Sequence, residues 1–214
     1  MVAALTIPTL LQKTNDAELK TAWKRDFAIL SSAFLQLTND KGGTIKGLYT
    51  EDIPGVGAGQ LANDMSNYLG VIKKCTGYNP LGNCIPSEGK LLNGTSWVGS
   101  TNVNHNSGLI LSNGALVHIN VITANCDNGT LGDLNNWGGR CGVFDIDVNG
   151  FKKPNTVGKD NFSASFMSDG RIVPYGSQQD GGCAGCVSIS TTCVQGSTDS
   201  ANTGHGCAAK YLYE

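Results

Sequence analysis

The chain of 214 residues carries a formal net charge of −2 and only 15% charged residues, with no basic stripe, which argues against nucleic acid as its main partner. A hydrophobic share of 40% can fill a core and excludes wholesale disorder, and the length suits one domain, or one domain with an extension. Eight cysteines (Cys75, Cys84, Cys126, Cys141, Cys183, Cys186, Cys193 and Cys207) sit among Gly, Asn and Ser, and an even count in that setting reads as a disulfide framework outside the cytoplasm.

The chain opens with Val2-Ala-Ala-Leu5-Thr-Ile7-Pro8-Thr-Leu10-Leu11, an apolar run of about half the ~20 residues a membrane span needs. It has no basic leader and no small-residue cleavage site of a secretory signal. From Leu19 the apolar residues Leu19, Trp23, Phe27, Leu30, Phe34 and Leu37 recur at steps of three and four, one helical stripe among charged neighbours. Asn39-Asp40-Lys41-Gly42-Gly43 supplies the stop. The pattern predicts a single N-terminal helix over residues 1–40, loosened near Pro8, whose ring removes one backbone hydrogen bond. Residues 44–214 form the predicted head.

A second helix is expected from Gln60 to Lys74, with Leu61, Met65, Tyr68, Leu69 and Ile72 on one face. Beyond Cys75 the period changes to two. Leu109–Val121 places Asn113-Gly114 between two strand-like runs, a hairpin signal, and Phe162–Tyr175 repeats the arrangement around Asp169-Gly170. Gly142–Val148 alternates apolar with acidic residues as a strand would, and Cys207–Glu214 is expected to be a closing strand. Strand–helix alternation of the parallel kind is absent. The expected fold is α+β: a long N-terminal helix packed on an antiparallel sheet with large, disulfide-stapled loops.

Short loops favour the bridges Cys75–Cys84 and Cys126–Cys141. Four cysteines then remain with three possible pairings, of which Cys183–Cys207 and Cys186–Cys193 are taken. Cys183 and Cys186 have C-x-x-C spacing, and with Cys193 and Cys207 they could hold zinc; a redox pair would need a βαβ setting that Val187–Thr192 does not offer. The sequons at Asn93, Asn128 and Asn161 fit glycosylated surface loops. Asp145-Ile-Asp147-Val-Asn149-Gly150 matches the first half of a calcium loop, with oxygens at positions 1, 3 and 5 and Gly at 6. Position 12 is Thr156, and Asp160 is close enough to replace the missing Glu if the loop folds back. The expected calcium ligands are Asp145, Asp147, Asn149 and Asp160. A strand with outward acids and an Asn-Gly turn fits the same residues.

Enzyme signals are weak. Gly94–Gly99 misses the nucleophile elbow by one residue, Gly55-Val-Gly57-Ala-Gly59 is neither a dinucleotide nor a phosphate loop, and His105, His118 and His205 lack a metalloprotease context. His118 falls mid-strand and reads as a packed or surface residue.

These features together resemble the type IV pilins and pseudopilins. The opening apolar run is similar to the stretch where the buried helix of such proteins emerges, and the Leu19–Leu37 stripe to its lower half. Asp147-Val-Asn-Gly150 followed by Pro154-Asn155, Gly158-Lys-Asp160-Asn-Phe162 and Asp169-Gly170…Pro174-Tyr175-Gly176 resembles a segment common in bacterial pilin-like proteins, and Gly204–Glu214 resembles their terminal strand. Some pilin-like proteins hold calcium in such a loop. The family's processing site and first apolar residues do not precede Val2, so the opening is expected to be the distal half of an anchor.

The resemblance implies a structural subunit and not an enzyme. It would rest in the bacterial inner membrane before assembly and then polymerise with copies of itself into a cell-surface filament through Val2, Leu5, Ile7, Pro8, Leu10 and Leu11. Two alternatives are a pseudopilin of a secretion or DNA-uptake machine and a secreted calcium-dependent adhesive or sugar-binding module.

Overall fold

The computed structural model describes residues 3–50, 56–76, 80–97, 106–127, 139–177 and 189–214, with side chains from Thr14 onward. Helix α1 (Ala3–Asp40) is followed by α2 (Val56–Met65), β1 (Val71–Cys75), β2 (Asn106–Leu111), β3 (Leu116–Val121), β4 (Arg140–Asp147), β5 (Asn161–Met167), β6 (Ile172–Pro174), α3 (Ile189–Thr192) and α4 (Cys207–Tyr213). The six strands form one sheet in the order β1-β2-β3-β4-β5-β6, every neighbouring pair antiparallel. This is the α+β architecture that the long helical stripe and the period-two runs require.

Helix α1 lies across the inner face of the sheet through its predicted stripe. Trp23, Leu30, Phe34 and Leu37 are at most 1% exposed, while Leu19 and Phe27 pack at the edge of the core. Trp23 stacks on Phe162 of β5 at 4.7 Å, and Phe34 meets Phe144 of β4 and Phe166 of β5 edge-on, each at 5.5 Å. The register makes this possible: Phe144 pairs with Ala164 and Ile119, and Ile146 with Phe162 and Val117, so alternate residues of three strands share the face.

Both predicted hairpins are present, and both turns reach the helix. The β2–β3 turn has Gly114 at φ +88°, and Asn113 Nδ2 donates to the buried Asp26 of α1 at 2.8 Å. The β5–β6 turn has Gly170 at φ +86°, and a Cβ there would stand 2.9 Å from Thr38 Cβ. Glycine is required at Gly170 on both counts.

Five expectations are corrected. The second helix spans Val56–Met65 and not Gln60–Lys74; the chain turns before Gly70, whose carbonyl accepts from Ser112 N at 2.7 Å, and Val71–Cys75 joins the sheet as β1. Ile72, placed on the buried helical face, is 69% exposed. Its β-branched neighbourhood and the preceding glycine favour a strand.

The expected closing strand is helix α4. Ala208, Ala209, Lys210 and Leu212 are good helix formers, and the docking of this helix on α1 overrides the alternation read from the sequence. Trp23 Nε1 donates to Ala208 O at 2.9 Å, and Lys20 lies 4.0 Å from the Tyr211 ring centroid.

The acids of β4 do not face outward into water. Asp145 and Asp147 are 8% and 2% exposed, because loops 80–97 and 148–160 cover the outer face. Asn161, expected in a surface loop, opens β5 and is half-buried.

Bridges Cys75–Cys84 and Cys126–Cys141 are present, but Cys193 pairs with Cys207, overturning both Cys183–Cys207 and Cys186–Cys193. The reason is the contact between α3 and α4, where Gly204 N donates to Thr192 O and Gly206 N to Thr192 Oγ1. Cys183, Cys186, Asn128 and His105 lie outside the described residues. Val2 does too, as do the side chains of Leu5, Ile7, Pro8, Leu10 and Leu11. The three bridges among the described residues indicate an oxidising compartment.

Trp23 joins helix, sheet and α4 at one point. Trp23→Ala is expected to cost about 3–5 kcal/mol in chemical denaturation, the usual range for a fully buried aromatic. A loss under about 1 kcal/mol would show that this contact does not hold the helix to the sheet.

Candidate functional site

The outer face of the sheet carries an ordered polar row. His118 of β3, Asp145 of β4 and Ser163 of β5 are direct cross-strand partners, so their side chains stand side by side. His118 Nδ1 lies 2.8 Å from Asp145 Oδ2, and Ser163 Oγ donates to Asp145 Oδ1 at 2.5 Å. Burial pushes the Asp145 carboxyl up, but the hydrogen bond and charge of His118, with the Ser163 hydroxyl, outweigh it and hold the group below its ordinary value. Both Asp145 oxygens are therefore committed away from the calcium ligands expected beside it.

The other three expected ligands do converge. Beyond β4 the chain turns through Gly150, and the segment returns so that Asp160 faces Asn149. Asp160 Oδ1 accepts from Thr156 N at 2.6 Å, and its Oδ2 accepts from Asn155 N at 2.8 Å and Asn149 Nδ2 at 3.2 Å. Asp147 Oδ1 accepts a long bond from Asn149 N at 3.3 Å, and the Gly150 N–H also favours the charged form of this carboxyl. Asp147 Oδ2 and Asn149 Oδ1 are buried and make no hydrogen bond.

Among the described residues neither Asp147 nor Asp160 has an ion-pair partner. Burial, and then the nearby Asp160 charge, push the Asp147 carboxyl up to about 8. Burial also raises Asp160, against the backbone N–H groups that favour its charged form. A hard divalent cation would answer both carboxylates and the orphaned oxygens at once, and oxygen donors from Asp, Asn and backbone suit calcium. Among the described residues no cluster of three or more His, Cys, Asp or Glu side chains could hold a metal, so the donor set here rests on two carboxylates helped by amides.

Sequence reasoning placed Asp147, Asn149 and Asp160 together through the half-motif. It missed the His118–Asp145–Ser163 row, whose signal was the register of three strands and not any local spacing. No family model, curated protein or solved structure matches the chain.

Without calcium, Asp147 keeps its proton in the fold to about 8, whereas an unfolded aspartate loses it near ~3.9. The folded state then binds more protons between these values, so stability falls as pH rises across the interval. A calcium ion held here would need the ionised form, so its stabilising effect would grow over the same range. Thermal melts at about pH 5 and about pH 8, with calcium and with chelator, should diverge most at the higher pH. Asp147→Asn should flatten the pH dependence in chelator and abolish the calcium response. Identical wild-type melts with and without calcium at the higher pH would remove the cation from this loop.

Proposed function

We propose that the chain is the structural subunit of a type IV pilus-like filament, assembling through the N-terminal part of α1 and presenting its head outside the cell. The observation that carries this reading is five consecutive exposed residues, Thr14–Glu18, inside a continuous helix of 38 residues. Five residues exceed one helical turn, so every face of α1 is open to solvent there, with Asn15, Asp16 and Glu18 only edging grooves against the head. At 1.5 Å per residue the helix is about 57 Å long, whereas a head of about 170 residues has a radius of gyration near ~15 Å. The fold covers the stretch from Leu19 to Leu37, and these lengths support an N-terminal part that projects.

Ala3-Ala-Leu-Thr-Ile-Pro-Thr-Leu-Leu11 is mostly apolar in sequence, and a projecting helix of that composition would offer surface that water disfavours. No described helix is long and apolar enough to cross a membrane. Copies of the same helix bundled in a filament core would cover that surface, with lipid doing so before assembly. The disulfides support placing the head in an oxidising space, and the calcium loop would order the head there. The order and spacing of the quoted motifs support the pilin-like assignment over a monomeric binding module, which has no need of a projecting apolar helix.

The test is to introduce Ile7→Asp into the native copy and examine sheared surface material by electron microscopy with antibody against the head. Long fibres carrying this chain are expected from the wild type and none from the variant, while the purified variant head keeps its thermal midpoint. Wild-type cells whose surface material contains the chain only as monomer would overturn the filament reading. Short periplasmic fibres alone would assign it to a secretion or uptake machine instead.

A further inference from the structure

We propose that Lys152, Lys153 and Lys159, which stand where α1 leaves the head, seat the head on an anionic lipid surface. They line a groove of about 480 Å³ whose other wall is the helix segment around Asp16 and Glu18. Lys152 and Lys153 are exposed and Lys159 is half-buried. Among the described residues none of the three makes an ion pair. Phe151, 48% exposed, stands beside Lys152 in the adjoining groove.

Position along the helix selects the partner. The apolar run ends at Leu11, and Asp16 and Leu19 follow about 8 and about 12 Å further along the axis at 1.5 Å per residue. A bilayer ~40–45 Å thick around a ~30 Å hydrocarbon core leaves ~5–8 Å of headgroups on each side. With the apolar run in lipid, the groove therefore stands at the outer edge of the headgroups, where the phosphates are. A lysine stem is long enough to reach down to them, and Phe151 offers an apolar ring to the same boundary.

The charge around the groove agrees. Lys20 is paired with Glu214 and Arg25 with Asp26, so the unpaired groups are three lysines against Asp16 and Glu18, which leaves one net positive charge. At the far end of α1 the charges are answered within the head: Lys41 pairs with Asp64 at 2.8 Å, and Tyr68 Oη donates to Asp40 at 2.6 Å. The inference rests on the lipid-bound stage of the filament reading and not on the fibres themselves.

The experiment mixes the full, oxidised chain with vesicles of phosphatidylcholine alone, or with phosphatidylglycerol as one third of the lipid, and measures partition by sedimentation. Chelator is present so that calcium cannot bridge carboxylates to phosphates. One net positive charge near an anionic surface corresponds to about 5-fold in partition. The wild type should favour the anionic vesicles by at least about that factor, and less so at high salt. Lys152→Glu with Lys153→Glu should remove the preference while leaving partition into phosphatidylcholine and the thermal midpoint unchanged. Lys73→Glu with Lys74→Glu makes the same change of net charge near the Asp40 end of the head, and should keep the preference. Equal wild-type partition into both vesicles would overturn the proposal, as would an equal loss in the Lys73/Lys74 variant. Self-association without lipid that only the Lys152/Lys153 variant abolishes would also overturn it, and assign the patch to a second copy. Partition into phosphatidylcholine reports the apolar end alone, so failure of the anchor and failure of the lysine patch are read from different vesicles.

Discussion

The contact between α1 and the inner face of the sheet organises the rest of the molecule. Its centre is aromatic: Trp23 on Phe162, and Phe34 between Phe144 and Phe166. Such rings bury large areas and gain further from stacked and edge-on geometry. The contact also fixes the register of three strands, because a slip by one residue would turn Phe144, Ile146 and Phe162 to the opposite face. The same slip would bring His118, Asp145 and Ser163 under the helix, where no partner balances them. Core and polar row are therefore specified together.

The outer face follows a different logic. An antiparallel sheet commonly leaves one face to water. Here every residue of β4 is buried, because loops anchored by Cys75–Cys84 and by the Lys90–Thr156 bridge close over it. Gly108 shows how close this cover lies, since a Cβ there would stand 2.6 Å from Cys84 Cβ. Covering a face that carries acids obliges each carboxylate to find a donor or keep its proton. Asp145 finds His118 and Ser163; Asp147 finds only the backbone N–H groups of Asn149 and Gly150, and burial pushes it up to about 8.

Much of the fold was legible because its signals are local. The step of three and four from Leu19 to Leu37 marks a helix face, and Asn113-Gly114 and Asp169-Gly170 mark turns that need φ above zero. What stayed hidden depends on contacts between distant segments. Cys207–Glu214 alternates weakly enough to read as a strand, and its docking on α1, α3 and β5 makes it a helix. The Cys193–Cys207 bridge depends on that same docking. At the candidate site, Asp147, Asn149 and Asp160 were readable as a motif. Asp145 was misplaced because a motif does not say which strand neighbour a carboxylate prefers.

The proposed calcium loop and the exit of α1 from the head are adjacent. Asn149, Lys152, Lys153 and Lys159 line a groove of about 480 Å³ whose other wall is Asp16, Glu18 and Leu19 of α1. The lysines face helix acids, yet exposed pairs of this kind are worth ~0–1 kcal/mol each and cannot fix the groove by themselves. The buried pair Asp147 and Asp160 can, because it lies where charge is poorly screened and an unmet carboxylate costs most. A cation that answers those two carboxylates would set where the three lysines stand against the helix. It would act at the point where α1 leaves the head, which is where a filament subunit must hold a fixed angle between head and helix.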